Sequence, residues 1–280
     1  MEYERIYKEE IACKFCKSAN LVKYGVKNDI QYFMCKSCGR KFADNQAPEQ
    51  MKYATQVIGS AINLYYDGLS LTKIQKHINQ DNNINPSTST IYSWITKYTE
   101  KAFINISNYK ANVCGTWIAD ETVLKIDGKN IWFWDIIDEE TRFLLASHIS
   151  SKRTIQDVKT LILKGLEHSH CTPHTIITDK LQSYKKPIEE VLKDTMHQRS
   201  KSFVMYPNTN LIERFHGTLK DRTKIMRGLK NINTAKNFTD GWLIYYNFFR
   251  PHLTLLNKTP ASKAGITIPY KNWLDIVEKR

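Results

Sequence analysis

Between Trp117 and Ile149 apolar residues recur at nearly every second position, and turn-forming residues interrupt the alternation twice. A period of two belongs to a strand with one buried face, so this stretch is committed to sheet. Trp117–Ile126 and Asn130–Ile137 are predicted strands joined by the two-residue hairpin turn Asp127-Gly128. A second turn over Asp138–Thr141 leads to a third strand, Arg142–Ile149. Connections this short allow only antiparallel pairing, because parallel neighbours need a long crossover, and the three strands therefore form a meander. Downstream, Ile155, Val158, Leu161, Ile162 and Leu166 give Thr154–Glu167 helical spacing. A short buried strand (Thr175–Thr178), a helix (Gln182–Lys193), a further strand (Thr195–Arg199) and a helix containing Glu213 follow. The expected class is α/β, a mixed sheet covered by helices.

Three acids stand out on this frame. On the first strand Ile118, Asp120, Thr122, Leu124 and Ile126 share a face, so Asp120 and Glu121 are expected on opposite sides, with only one catalytic. An Asp among aliphatic neighbours is costly unless it is paired or metal-bound. Asp179 ends the run HTIITD where KLQSY turns away from the sheet, and open sheets bind ligands at the carboxyl ends of their strands; taken alone it reads as a turn or cap residue. The third acid lies in Pro207–Lys230, PNTNLIERFHGTLKDRTKIMRGLK. As a helix this stretch sets Glu213, His216, Lys220, Lys224 and Arg227 on one side and Ile212, Phe215, Leu219, Met226 and Leu229 nearly opposite. One carboxylate in a row of cations, with two acids upstream, suggests metal-dependent chemistry on a polyanion. His216 reads as a phosphate contact or as a surface histidine.

The N-terminal part carries Cys13 and Cys16, then Cys35 and Cys38, with 18 residues between the two pairs. Four thiolates at this spacing suit one tetrahedral, structural Zn²⁺, and the strand-like LVKYG and QYFMC between them make a zinc ribbon over residues 1–45. So small a module has little core, so the metal is expected to supply much of its folding free energy. After an aperiodic linker, residues 51–105 read as three helices, the second behind a Ser70 cap and the third opened by Pro86 and Ser87. This pattern is compatible with a helix-turn-helix that presents Ser89, Thr90, Ser93 and Lys97 to DNA and packs Ile91, Trp94, Ile95 and Tyr98 inward. A helical domain that binds nothing is the alternative.

Forty-one Lys and Arg against 28 Asp and Glu give a net charge of +13, spread along the chain, which favours a polyanionic partner. No stretch is long and apolar enough for a membrane span, and MEYERIYKEE lacks the apolar core of a signal peptide. A soluble, cytoplasmic protein is expected, its six cysteines serving as metal ligands or free thiols, with Cys114 a buried thiol. His168, His170, Cys171 and His174 straddle a predicted loop and read as coincidental. Ala235, Phe238, Trp242, Tyr245 and Phe249 repeat at helical spacing and read as core.

Residues 113–265 resemble the catalytic domain of DDE transposases of prokaryotic insertion sequences. The likeness rests on ADET with Asp120, ITDKLQSY with Asp179, NTNLIERFHGTLKDRTKIMRG with Glu213 after a further 34 residues, and the tail YNFFRPHLTLLNKTPA. The N-terminal modules also resemble those of several such groups, leaving 266–280 as a tail. The resemblance implies a ribonuclease H-like fold, related to that of retroviral integrases. It also implies two Mg²⁺ or Mn²⁺ ions held by Asp120, Asp179 and Glu213, and phosphate contacts from Lys220, Lys224 and Arg227. The implied activity is nicking at the 3′ ends of an insertion sequence followed by strand transfer into target DNA, by a homodimer or higher homo-oligomer associated with the nucleoid. A non-catalytic DNA-binding regulator derived from such an enzyme is the competing reading.

Overall fold

The structure is a computed structural model that describes residues 11–27, 30–45, 47–48, 51–200, 206–226 and 229–278. A small antiparallel sheet opens the chain, in the order β1 (Leu21–Lys27), β2 (Ile30–Cys35) and β3 (Lys41–Ala43). Among the described residues its buried core is Cys13, Phe33, Cys35 and Phe42, with Phe15, Leu21 and Cys38 packed against it and Phe33 and Phe42 stacked at 5.9 Å. The two cysteine pairs sit on matching knuckles. Lys17 N–H donates to Cys13 O at 2.9 Å and Gly39 N–H to Cys35 O at 2.8 Å, and both closing residues take the left-handed conformation, with φ of 62° and 72°.

Three helices follow: α1 (Thr55–Tyr66), α2 (Leu71–Asn82) and α3 (Thr88–Ile106). Ser70 and Ser87 cap the second and third by accepting from Lys73 N–H and Thr90 N–H, which satisfies donors that each first turn leaves free. Ile91, Trp94, Ile95 and Tyr98 are buried.

The main sheet has five strands in the order β6-β5-β4-β7-β8. β4 (Thr116–Ile126), β5 (Lys129–Asp138) and β6 (Leu144–Ser150) form the antiparallel meander, with Asp127 and Gly128 at positive φ in the first turn. α4 (Ile155–Glu167) crosses over to β7 (Thr175–Thr178), which pairs parallel to β4; a single turn and α5 (Lys185–Val191) lead to β8 (Met196–Arg199), parallel to β7. α6 (Asn210–Ile225) packs on β4 and β5, followed by α7 (Ile232–Ile244), a π-helical turn (Tyr245–Phe249), α8 (Pro260–Lys263) and α9 (Trp273–Glu278).

One hydrophobic core runs from Val57 in α1 through the sheet to Val277 in α9, so it divides neither at residue 105 nor at 265. Trp273 of the tail is fully buried and stacks on Tyr66 of α1 at 4.9 Å, and the Cα of Leu274 lies 2.9 Å from where a Cβ on Gly59 would project. Only a glycine lets α9 approach α1 this closely. Ala235, Phe238 and Trp242 of α7 are buried in the same core.

Two expectations fail here. Cys114 is not a free thiol: it is bonded to Cys171, with the Cα atoms 5.5 Å apart. The parallel pairing Thr116↔Thr175 and the bridge Ala111↔Ser169 bring the segments before β4 and β7 together, a proximity that 57 residues of separation conceal. The polar face assigned to the Glu213 helix is also narrower than its wheel indicates. His216 is only 5% exposed and packs with Ile212, Phe215 and Leu219, and Arg222 is buried as well, its guanidinium 4.4 Å over the ring of Tyr65. Both side chains carry enough apolar surface to pass as core once aromatic and polar partners meet them.

Candidate active site

The sheet brings the first two acids together by register. β7 follows β4 only as far as Ala119↔Thr178, so Asp120 and Asp179 are the next residues on adjacent strands, just past the end of the pairing. Asp179 is fixed by its own turn, where Oδ1 accepts from Leu181 N–H at 2.8 Å. Glu121 joins them: one carboxylate oxygen from each of Asp120, Glu121 and Asp179 lies within 4.8 Å of the others. The pleat does send Asp120 and Glu121 towards different neighbours, as the alternation requires. The two carboxylates nonetheless reach one group, each bringing an oxygen within 4.8 Å of Asp179 and of the other. The expectation that the two acids stand apart on opposite sides is therefore corrected, since both carboxylates belong to one group.

Each of the two β4 acids has its own support. On the α6 side Asp120 stands opposite Asp135 in the β4–β5 register, and the ring of His216 lies between them, with Nε2 3.1 Å from Asp135 Oδ2 and Nδ1 3.7 Å from Asp120 Oδ2. Asp135 is completely buried and also accepts from Ser147 Oγ at 2.5 Å. On the α4 side Glu121 pairs with Arg153 and accepts from Tyr184 Oη at 3.1 Å. Tyr184 in turn packs edge-on against Trp134, the cross-strand partner of Glu121, at 5.9 Å.

Burial dominates the electrostatics. It pushes the Asp120 carboxyl up to about 7; His216 pulls the other way, while Glu121 and Asp179 add to the rise. Glu121 is raised by burial and then by Asp179, against Arg153. Asp135 is raised by burial and opposed by its bond to His216. Carboxylates gathered so closely, in surroundings that penalise their charge, fit a divalent cation, which relieves both desolvation and mutual repulsion; an all-oxygen donor set suits Mg²⁺ or Mn²⁺.

Glu213 lies outside this cluster among the described residues. It is half-buried one turn before His216, and its Oε1 accepts from Thr209 Oγ1 at 2.8 Å. Lys220 and Lys224 are exposed and, with Lys125 and Lys230, line a cleft of about 840 Å³ between α6 and the β4–β5 hairpin. Arg227 lies outside the described residues. On α3, Ser89, Ser93 and Lys97 are exposed and Thr90 is half-buried. Lys97 shares a second cleft, of about 300 Å³, with Lys101 of α3 and with Lys14 and Lys17 of the ribbon.

The four ribbon thiols form the other metal-capable group among the described residues, all within 4.8 Å. Cys13 and Cys38 Sγ are 3.7 Å apart and Cys16 and Cys35 Sγ 3.5 Å apart. Tetrahedral zinc at a Zn–S distance of about 2.3 Å requires sulfurs roughly 3.8 Å apart, so the thiols fit that ion. His168, His170 and His174 join no such group among the described residues, and Cys171 is tied up in its disulfide.

Sequence reasoning missed Asp135, Arg153 and Tyr184, and named Glu121 only as the acid on the side opposite Asp120. For Asp135 a signal existed, since an acid within WFWDII is as costly in a sheet as Asp120 within its own strand. Arg153 and Tyr184 carried none, because their roles depend on how α4 and α5 pack.

Residues 115–252 match a family described as the DDE domain. The chain is 28% identical over 197 residues to the transposase for insertion sequence-like element IS431mec of Staphylococcus aureus, covering 68% of this chain and 84% of that protein. It is 25% identical over 203 residues to the insertion element ISM1 uncharacterized 48.3 kDa protein of Methanobrevibacter smithii. That match covers 66% of this chain but spans about half, 49%, of the relative's length. Against the HTLV-2 integrase catalytic core domain in complex with magnesium, the TM-score is 0.43 at 16% identity, over 53% of this chain and 94% of that one.

Proposed function

Because residues 115–252 belong to the DDE domain family, we propose that this chain is a transposase that binds the ends of its insertion sequence, nicks them at their 3′ ends and transfers those ends into target DNA. The observation that carries this reading is the convergence of Asp120, Glu121 and Asp179 within 4.8 Å at the end of β7, in a domain of that family. Asp120 and Asp179 hold the catalytic Mg²⁺ or Mn²⁺ ions, and Glu213 is the third ligand by its match to the family's motif. Two such ions held there would supply Lewis-acid chemistry, activating the attacking hydroxyl and stabilising the leaving oxygen of an in-line phosphoryl transfer.

The remaining roles belong to the protein. His216, bonded to Asp135 and through it to Ser147, faces Asp120 at 3.7 Å, and Arg153 and Tyr184 hold Glu121 against rotation. Lys220, Lys224 and Arg227 contact phosphates and fix the register of the strand without reading its sequence. Ser89, Thr90, Ser93 and Lys97 of α3 serve end recognition, as the last helix of a helix-turn-helix does in a major groove. Cys13, Cys16, Cys35 and Cys38 hold one structural Zn²⁺. Two ends must be processed together, which calls for a homodimer or larger assembly, and DNA as substrate places the work in the cytoplasm at the nucleoid.

The test supplies purified protein with Mg²⁺ or Mn²⁺ and DNA carrying the element's own ends. Nicked and joined products are expected, and Asp120→Asn, Asp179→Asn and Glu213→Gln are expected to lose both while still binding the ends. Comparing Glu121→Gln with Glu213→Gln decides which acid is the third ligand. Wild-type protein that binds the ends but never cuts them would establish the regulator instead.

A further inference from the structure

α6 has a second charged flank. Counting at 100° per residue, Leu211, Arg214, Phe215 and Thr218 lie on the side of the helix away from Glu213 and Lys220. They line a depression of about 160 Å³ with Arg142, Tyr246, Arg250, His252 and Thr254. Three arginines line it, and among the described residues no acid does.

The neighbouring acids are committed elsewhere. Asp138 accepts from the backbone and hydroxyl of Thr141 at 2.8 and 2.7 Å, Glu139 accepts from Tyr206 Oη at 3.4 Å, and Glu140 pairs with Lys263 at 3.4 Å. Among the described residues none of the three arginines forms an ion pair. The imidazole of His252 packs edge-on against Tyr246 at 4.7 Å and is pushed down to about 4 by burial and by Arg250 and Arg142, so guanidinium alone carries the positive field.

The depression is also firmly built. Asn247, fully buried, accepts from Leu144 N–H at 2.9 Å and donates to Leu144 O at 2.8 Å, which ties the π-helical turn before Arg250 to the strand that begins two residues after Arg142. Arg142 is set in a left-handed turn, φ 62°, by its N–H bond to Asp138 O at 3.0 Å. Tyr246 is wedged against Phe215 at 5.0 Å, anchoring the same turn to α6. Converging like charges without a counterion oppose folding, and a tetrahedral oxyanion that accepts from several forked donors removes that opposition.

We propose that Arg142, Arg214 and Arg250 together clasp one backbone phosphate of duplex DNA, on the flank of α6 opposite Glu213. The pocket engages a stretch of DNA separate from the strand at the acidic cluster. That the phosphate belongs to DNA rests on the function proposed above; that the pocket takes a phosphate rests on its own walls.

The test measures binding of a fluorescent duplex by the full-length protein without divalent metal, across a salt series. Neutralising Arg142 and Arg250 together (Arg142→Gln/Arg250→Gln), or the exposed Arg214 alone (Arg214→Gln), is expected to weaken binding about tenfold and to reduce the slope of log affinity against log salt by about 1, the loss of one phosphate contact. Arg→Lys replacements, which keep charge but lose the fork, are expected to restore the slope and only part of the affinity. Arg214→Gln keeps the test decisive should the double variant fail to fold. Wild-type affinity and slope in a variant with a wild-type melting temperature would overturn the proposal. So would a melting temperature raised by inorganic phosphate in the wild type only, with DNA binding unaffected, because the ligand would then be free phosphate. The assay needs no cleavage: a wild-type protein that binds but never cuts defeats the proposed activity and leaves the pocket standing, while an unchanged slope in a protein that cuts does the reverse.

Discussion

The two metal-capable clusters stand in opposite relations to the fold around them. In the small N-terminal sheet, Cys13 and Cys35 supply two of the four buried core residues among the described residues, so the metal-capable thiols are part of what holds the module together. In the main domain, Asp120, Glu121 and Asp179 sit at the edge of a core that extends from α1 to α9 and owes them nothing. There the carboxylates are a burden that the fold tolerates, because burial raises both Asp120 and Glu121. A structural ion held by the thiols would be built into the stability of its module, whereas a catalytic ion held by the carboxylates would meet a site set apart from stability.

The largest effect separates the two directly. A strong chelator, or Cys35→Ser, is expected to unfold residues 11–45 and leave the rest of the chain folded, since structural zinc contributes on the order of 10 kcal/mol to such modules at neutral pH. Limited proteolysis and the near-ultraviolet signal of the tryptophans, all of which lie beyond the ribbon, would read the two parts separately. Loss of the whole fold would break the comparison.

Next comes a substitution in the core. Trp273→Ala is expected to cost about 3–5 kcal/mol. Because Trp273 stacks on Tyr66 and meets Phe249 edge-on at 5.2 Å, helices α1–α3 and the sheet should lose stability together in one denaturant transition. Two separated transitions would show that the helical module keeps a core of its own.

Removing a burdensome ligand should have the opposite sign. Asp120→Asn is expected to reduce DNA transfer on the order of 10³-fold, several kcal/mol of transition-state stabilisation, while the metal-free protein at pH 8 melts no lower than wild type. The same residue gives a pH dependence. Its folded value of about 7 lies above its unfolded value, so the stability it contributes is fully present below about pH 4 and is lost as pH rises through about 7. Metal-free wild type should therefore weaken across that window by at most about 4 kcal/mol, Asp120→Asn should weaken less, and Mg²⁺ should restore more stability at pH 8 than at pH 5. Urea midpoints across the series would show it; identical slopes for the two proteins would remove Asp120 as the source.

The smallest effect concerns the exposed cations. Lys220→Glu is expected to weaken DNA binding several-fold and to change folding stability by less than about 0.5 kcal/mol, because the side chain lies on the solvent side of α6. Anisotropy and thermal melts on one preparation suffice.

The sequence by itself determined whatever is written in local periodicity and turn chemistry. The alternation from Trp117 onward with Asp127-Gly128 specified the meander, Ser70 and Ser87 marked two helix starts, and the paired cysteines fell on knuckles closed by Lys17 and Gly39. Asp120 and Asp179 were also picked out there, Asp120 as a charge inside an apolar strand and Asp179 as the acid that closes an apolar run. What remained depended on residues far apart in the chain and close in space. Only the β4–β7 register sets Asp120 beside Asp179, and only packing brings the Glu121 carboxylate into the same group. His216 turned from surface to core because α6 lies over Asp135, Cys114 turned from thiol to disulfide because two parallel strands carry its loop to Cys171, and the tail proved to be core because Trp273 fits against Tyr66. Periodicity reports which side of an element is apolar, but not which element covers it. The partner of each buried charge is a property of packing, decided when the layers close.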